Sequence, residues 1–278
     1  MLRLRFEFVI GFAISTGVFM LVYTNALADD SASQSDAATE SADSESNDDS
    51  ETENKVPTKK DIPGLTRLSP EHDVWIDPMR RYVVVDGNVC LRQGTLEMFA
   101  CPRGTKEHEA IVSLKCPAQT VHAALLAIGA KVGSTVKWDP MYVPASGTEV
   151  DIWILWKDKE GMNRKMRAQH WIRNIETGKA MNFPWVFAGS GFWADEMGVT
   201  HYMANSGDLI CVSNFSTATL DLPVESSAEA GGLLFEAFTE NIPTRGTHIR
   251  LVLIPKLEKK KNDADGEAKE TKSEASEN

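Results

Sequence analysis

The chain has 278 residues, 42% of them hydrophobic and 25% charged, with a formal net charge of −11. That length suffices for one sizeable core, and a net negative chain without a basic stripe excludes nucleic acid as a partner, since such binding rests on neutralising phosphates. Four cysteines are too few in a chain of this length for a fold built on disulfides.

Arg3 and Arg5 precede an apolar run from Phe8 to Tyr23, and Ala26-Leu27-Ala28 follows. A basic start, an apolar middle and an A-x-A site predict a signal peptide over residues 1–28, cleaved between Ala28 and Asp29. The run is shorter than a membrane-spanning helix requires, so the mature chain is expected to carry no transmembrane segment and to be exported to the periplasm or beyond. Between Asp29 and Asn54 there are ten acidic residues and no basic one. Such a stretch cannot bury enough apolar surface to offset its ordering entropy, so 29–60 reads as a disordered acidic linker. Residues 258–278 read as a disordered charged tail on the same argument. Setting these flanks aside leaves 61–257, a single expected globular domain, at a net charge of only −3.

The domain opens with strand signals. Val83, Val84 and Val85 are β-branched and suit a pleated strand. Arg92-Gln93-Gly94 reads as a turn, and Thr95–Cys101 as the returning strand of a hairpin. If Gln93-Gly94 is that turn, Cys90 faces Glu97 and Cys101 faces Asp86, too far apart for a disulfide. Ala110–Lys115 is a third strand. Pro117 then starts a helix over 118–129, in which Val121, Ala124, Leu125 and Ile128 form one apolar stripe and Gly129 supplies the cap.

Further along, Val150, Ile152, Ile154 and Trp156 alternate with Asp151, Trp153, Leu155 and Lys157, a period of two. Met162–Ala168 reads as the strand returning from a loop at 157–161, and Trp171–Glu176 as one helical turn. A second hairpin is expected from Trp185–Trp193 and Val199–Ala204. Leu209–Val212, Thr219–Val224 and Thr247–Ile254 complete the set. Hairpins outnumber helices and no βαβ alternation is present, which predicts an α+β domain: a mostly antiparallel sheet built from hairpins, with one helix.

Chemistry is harder to find. Cys101, Lys106, His108, Glu109 and His122 form the candidate site, because the loop Pro102–Glu109 carries titratable groups between two strands. Cys101, His108 and His122 are the right residue types for zinc or copper, although the spacing C-x6-H-E-x12-H matches no zinc pattern. If the first turn of the helix packs near this loop, the His108 and His122 rings should lie within about 8 Å, the span one metal or one substrate bridges. Ser190 lies between adjacent glycines, which is not the spacing of a hydrolase elbow. Gly189-Ser190-Gly191 reads instead as a bulge or a close backbone approach. Cys211, in an apolar run, reads as a buried hydrophobe.

Seven tryptophans fall in the domain, and two of them carry a geometric argument. Trp153 and Trp156 have opposite parity on one strand, so both cannot face one core: either the sheet is covered on both faces, or one of the two is exposed, as aromatic residues at binding surfaces often are.

VVVDGNVCL (83–91), LEMFACPRGTKEHE (96–109), VHAALLAIGA (121–130), WVFAGSGFW (185–193), GDLICVSNF (207–215) and TLDLPVESS (219–227) together resemble the YdjY-type domain of exported bacterial proteins. The resemblance covers about Leu65 to Leu257. It implies an exported bacterial domain, and no activity or catalytic residue comes with it. The expected function is therefore a non-catalytic binding or structural module of the cell envelope, with an envelope or extracellular partner. The alternative is a metal-binding or thiol-dependent enzyme using Cys101, His108, Glu109 and His122.

Overall fold

A computed structural model describes residues 61–226 and 234–257. The expected signal peptide, acidic linker and charged tail lie outside these residues. Within them, β1 (Thr66–Arg67), β2 (Val74–Asp77) and β3 (Tyr82–Val89) pair antiparallel in sequence order. β4 (Met98–Pro102) and β5 (Ala110–Leu114) are buried along their whole length. The helix α1 (Ala118–Ala127) forms where the apolar stripe predicted it, with Pro117 as its N-cap and Gly129 at φ +94° just beyond its end. Val121, Ala124 and Leu125 are fully buried, and the helix packs them against β2 and β3.

The second half supplies β6 (Glu149–Lys157), β7 (Asn163–Arg167), β8 (Ile172–Asn174) and β9 (Trp185–Phe187). It continues with β10 (Phe192–Ala194), β11 (Thr200–Tyr202), β12 (Ile210–Cys211), β13 (Leu220–Asp221), β14 (Phe235–Ala237) and β15 (His248–Pro255). β10 and β11 form a separate ribbon, as do β8 and β14. A 3₁₀ turn at Ala168–Trp171 precedes β8, so the helical turn expected over Trp171–Glu176 sits earlier and a strand takes its place.

The expected α+β sheet of antiparallel hairpins is not what forms. Strand makes up 37% and helix 11%, so the domain is mostly β, and eight strands close into a mixed barrel. Its order is β3-β15-β6-β9-β13-β12-β4-β5, and β5 returns to pair with β3. The β4–β5 and β12–β13 pairs are parallel, and the other pairs in the ring are antiparallel. The hairpin expected between β3 and β4 fails because β4 is apolar on both faces. A strand of that kind needs neighbours on both edges and cover on both sides, and parallel pairing with β5 inside a closed wall provides them. β5 takes the β3 edge that β4 was expected to fill, with Gly87 opposite Leu114.

Inside the wall, Val83, Val85, Ile152, Ile154, Ile249, Leu251 and Leu253 project inward, none with any exposed surface. Phe99 meets Trp185 at 5.6 Å between ring centroids, and Trp156 meets Trp171 at 5.3 Å. Each large side chain buried in this way stabilises the fold by about 1.5–3 kcal/mol. β15 is the central strand of the wall, paired with β3 along one edge and β6 along the other.

Candidate functional site

The loop leaving β4 is built by its own backbone. Gly104 takes φ +80°, the Thr105 hydroxyl donates to the Pro102 carbonyl at 2.6 Å, and Glu107 accepts the Gly104 N–H. Lys106 is thereby turned inward. Its ammonium lies 3.1 Å from Asp208, 3.5 Å from Glu109 and 3.7 Å from Glu97, and 4.5 Å from the centroid of Phe215. Burial works against its charge, but the three carboxylates outweigh burial and raise its pKa. Glu97 is raised as well, first by burial and then by Glu109 beside it. Gly207 is what admits the lysine stem: a Cβ there would meet Lys106 Cγ at 2.5 Å. Lys106 and Glu109 thus come together in an ion-pair cluster that locks the loop to the Asp208 turn.

The other residues of this group go elsewhere. Cys101 has no exposed surface and packs with Met98, Ala110, Cys211 and Ala218. Burial pushes its thiol up to about 11, and pushes Cys90 and Cys116 up to about 12. All four thiols are free and buried, so the thiolate that nucleophilic chemistry requires is suppressed at every one. His108 is exposed, with Glu109 at 3.8 Å as its partner. His122 is half-buried on α1, its Nδ1 2.9 Å from the Tyr202 hydroxyl and its ring edge-on to Phe187. Burial lowers its pKa, favouring the neutral ring. Tyr202 donates to the Gly189 carbonyl and shares a hydrogen bond with Thr219. The two histidines therefore bond into separate networks. Among the described residues, no three His, Cys, Asp or Glu side chains converge in a way that could hold a metal ion.

Gly189 and Ser190 take φ +93° and +55°, and a side chain at Gly189 would run into Val132. Where a bulge or a close backbone approach was expected, the Gly189 backbone lies close against the Val132 side chain. The Ser190 hydroxyl is spent on the Thr217 carbonyl at 2.7 Å.

Trp153 and Trp156 point to a different surface. Trp156 turns into the core against Trp171, and Trp153 turns outward. Residues directly opposite on paired strands share a face. The register therefore places Val84, Val252 and Trp153 in one outward row, with Arg167 beyond, and Asp86, Arg250, Leu155 and Lys165 in the next. Lys165 lies 4.2 Å from the Trp153 ring centroid and Arg167 5.8 Å. A groove of about 330 Å³ runs over this wall, lined by Tyr82, Val84, Trp153, Val252 and Ile254, with Ile62 and Leu65 on its rim. A second, of about 640 Å³, continues it past Lys157, Lys165, His248 and Arg250. Asp86 takes Arg250 at 2.8 Å and His248 at 3.1 Å, and Asp151 takes Arg167 at 2.6 Å.

From the sequence, one of Trp153 and Trp156 was expected outside if only one face is covered, without a choice between them, and the rest of this wall was not foreseen. The signal was in the second face of the last strand, where His248, Arg250, Val252 and Ile254 alternate with the core residues. It could not be used without knowing that β15 lies between β3 and β6.

The model of the YdjY domain matches residues 74–254 of the chain. No curated protein and no solved structure matches it.

Proposed function

The chain belongs to the YdjY domain family, and we propose that it is an exported binding module of the bacterial cell envelope, without chemistry of its own, holding its ligand on the outer wall of β3, β15, β6 and β7. One observation carries this reading: a barrel wall with a complete core behind it also presents a tryptophan, a tyrosine and aliphatic side chains outward in a groove whose lining includes Lys165 and Arg250. An apolar floor with a few placed polar groups is what ligand sites share. The suppressed thiols argue against the thiol-dependent alternative. Export is supported by Arg3, Arg5, the apolar run and Ala26-Leu27-Ala28. Among the described residues no helix is long and apolar enough to cross a membrane, a statement about helices only.

Two measurements test the reading. N-terminal sequencing of the mature protein should begin at Asp29, and recovery of intact Met1 would remove the export step. A photo-reactive amino acid in place of Val252 should give ligand adducts in the native compartment. The same group in place of the exposed Met79 should not. Equal labelling at both positions would remove the binding face.

A further inference from the structure

We infer that the partner of this wall is a protein presenting an extended acidic segment, which adds to β7 as a further antiparallel strand and sets carboxylates against Lys165 and Arg167. The inference rests on the binding-face reading above and adds to it the class of partner.

β7 has one open edge. Among the described residues it pairs with β6 alone, and its five residues carry three cations and no acid. The turn before it fixes which peptide groups that edge presents. The Asp158 N–H donates to the Met162 carbonyl at 3.0 Å, which makes these two residues a bonded pair. Bonded and non-bonded pairs alternate along an antiparallel ladder, so Arg164 and Met166 turn their peptide groups toward Trp156 and Ile154. Those of Asn163, Lys165 and Arg167 point away from β6. A strand with unmatched N–H and C=O groups along one side is a template for another.

The same three residues set their side chains on the outer wall, since they lie opposite Lys157, Leu155 and Trp153. The Trp153 ring keeps two of the charges on that face, with Lys165 4.2 Å and Arg167 5.8 Å from its centroid. An antiparallel strand added here places every second residue directly opposite, at about 4.5–5.5 Å between Cβ atoms and on the same face. Carboxylates at those positions meet Lys165 and Arg167, and the residues between them meet Arg164 and Met166 on the other face.

Charge decides which strand fits. A second copy of β7 would set Lys165 against Lys165, like charges directly opposite. The groove beside the edge is lined by Lys157, Arg164, Lys165, His248 and Arg250, with no carboxylate among its lining residues. Asp158 and Asp151 hold Arg164 and Arg167, yet these side chains stay 57% and 43% exposed. What singles out Lys165 among the exposed lysines is its place on a bare edge, where backbone pairing brings a carboxylate to it in fixed register. Lys165 and Arg250 line the apolar groove as well, so a partner anchored on β7 is carried over Val252.

Calorimetric titration of the mature protein tests this with the capped peptide Thr-Glu-Val-Glu-Val-Glu-Thr. It should bind at one per chain, at least tenfold tighter than the same peptide with lysines for glutamates or with its three glutamates moved together. N-methylation of the glutamates, whose N–H groups face β7 in the added strand, should abolish binding, and N-methylation of the valines should leave it. These comparisons use the unaltered protein, so no loss of fold can mimic them. Lys165→Glu with Arg167→Glu should reverse the preference in favour of the lysine peptide, with urea midpoints read in parallel. Binding that survives methylation of the glutamates, or equal binding of the peptide with its glutamates together, would overturn strand addition. A charge-reversed variant that folds and still prefers the acidic peptide would overturn the assignment to Lys165 and Arg167. Adducts at position 252 in cells with no peptide binding would leave the face standing and the class of partner wrong. Peptide binding without those adducts would leave the added strand standing and remove the groove.

Discussion

Asp221 has no exposed surface, yet three N–H groups point at its carboxylate, from Asn214, Leu222 and Phe215. The donors favour the charged form, but burial outweighs them and raises its pKa to about 7, with Asp208 adding repulsion. The sign follows from linkage. The folded pKa lies above the unfolded one, so between about pH 4 and pH 7 the folded state holds a proton that the unfolded state has released. Stability from this group is complete below the unfolded pKa and is lost as pH rises through about 7. The expected loss is on the order of 2–4 kcal/mol, and an Asp221→Asn variant should not show it. Urea midpoints of both proteins at pH 5 and pH 8 check this; parallel pH profiles would show that burial does not set this carboxyl. The cysteines give a second expectation at this scale. With every thiol buried and its pKa raised, a thiol reagent at pH 7.5 should label none in the native protein within an hour and all four in denaturant. One fast native thiol would restore the thiol-dependent reading. Of this, only the burial of Cys211 was legible from sequence. Asp221 sits in TLDLP, where alternation places it outward, and only the closed wall shows that both sides are covered.

At the scale of elements, propensity and periodicity located pieces and did not pair them. The helix at 118–127 agrees with its stripe and cap because both are local. β3, β5, β6, β7 and β15 fall where alternation and β-branching put them. The partner of β4 was misread because a turn signal at Gly94 says that the chain reverses, not which edge it rejoins. Gly94 does take φ +104°, but Thr95 then bridges to Glu236 and β4 goes on to β12 and β5. Gly87 marks where the ring closes. A Cβ there would meet the Ser113 carbonyl at 2.8 Å and Leu114 Cδ2 at 2.6 Å, so β3 and β5 approach as only glycine permits. Gly87→Ala should cost about 2 kcal/mol or more, because the carbonyl it meets is fixed in the ladder. A Gly94→Ala control lies in open space, where only its positive φ penalises the substitution, so the cost should be about 1 kcal/mol. Equal costs in a urea series would mean that the seam yields.

The whole molecule depends on strands that are far apart in sequence. β3 begins at Tyr82 and pairs with β15, which ends at Pro255, so the wall carrying the proposed binding face cannot form until nearly all of the domain has been made. That separation is why the barrel was invisible to a reading made element by element: closure is a property of the ring, and no local pattern reports it. It also sets the final prediction. A chain stopped after Leu257 keeps β15, and residues 258–278 contain too few apolar groups to add to a core, so its unfolding midpoint should match that of the same chain extended to Asn278. A chain stopped at Gly246 loses Ile249, Leu251 and Leu253, each fully buried, at roughly 1.5–3 kcal/mol apiece. It also leaves β3 and β6 with unpaired edges facing each other across the gap. Those losses match the whole stability of an ordinary domain, about 5–15 kcal/mol, so the shorter chain should show no cooperative transition and should aggregate. A synthetic peptide of residues 247–257 added during refolding should recover part of the folded signal, because it restores both seams at once. A chain ending at Gly246 that unfolds cooperatively without the peptide would show that the barrel can close around the missing strand.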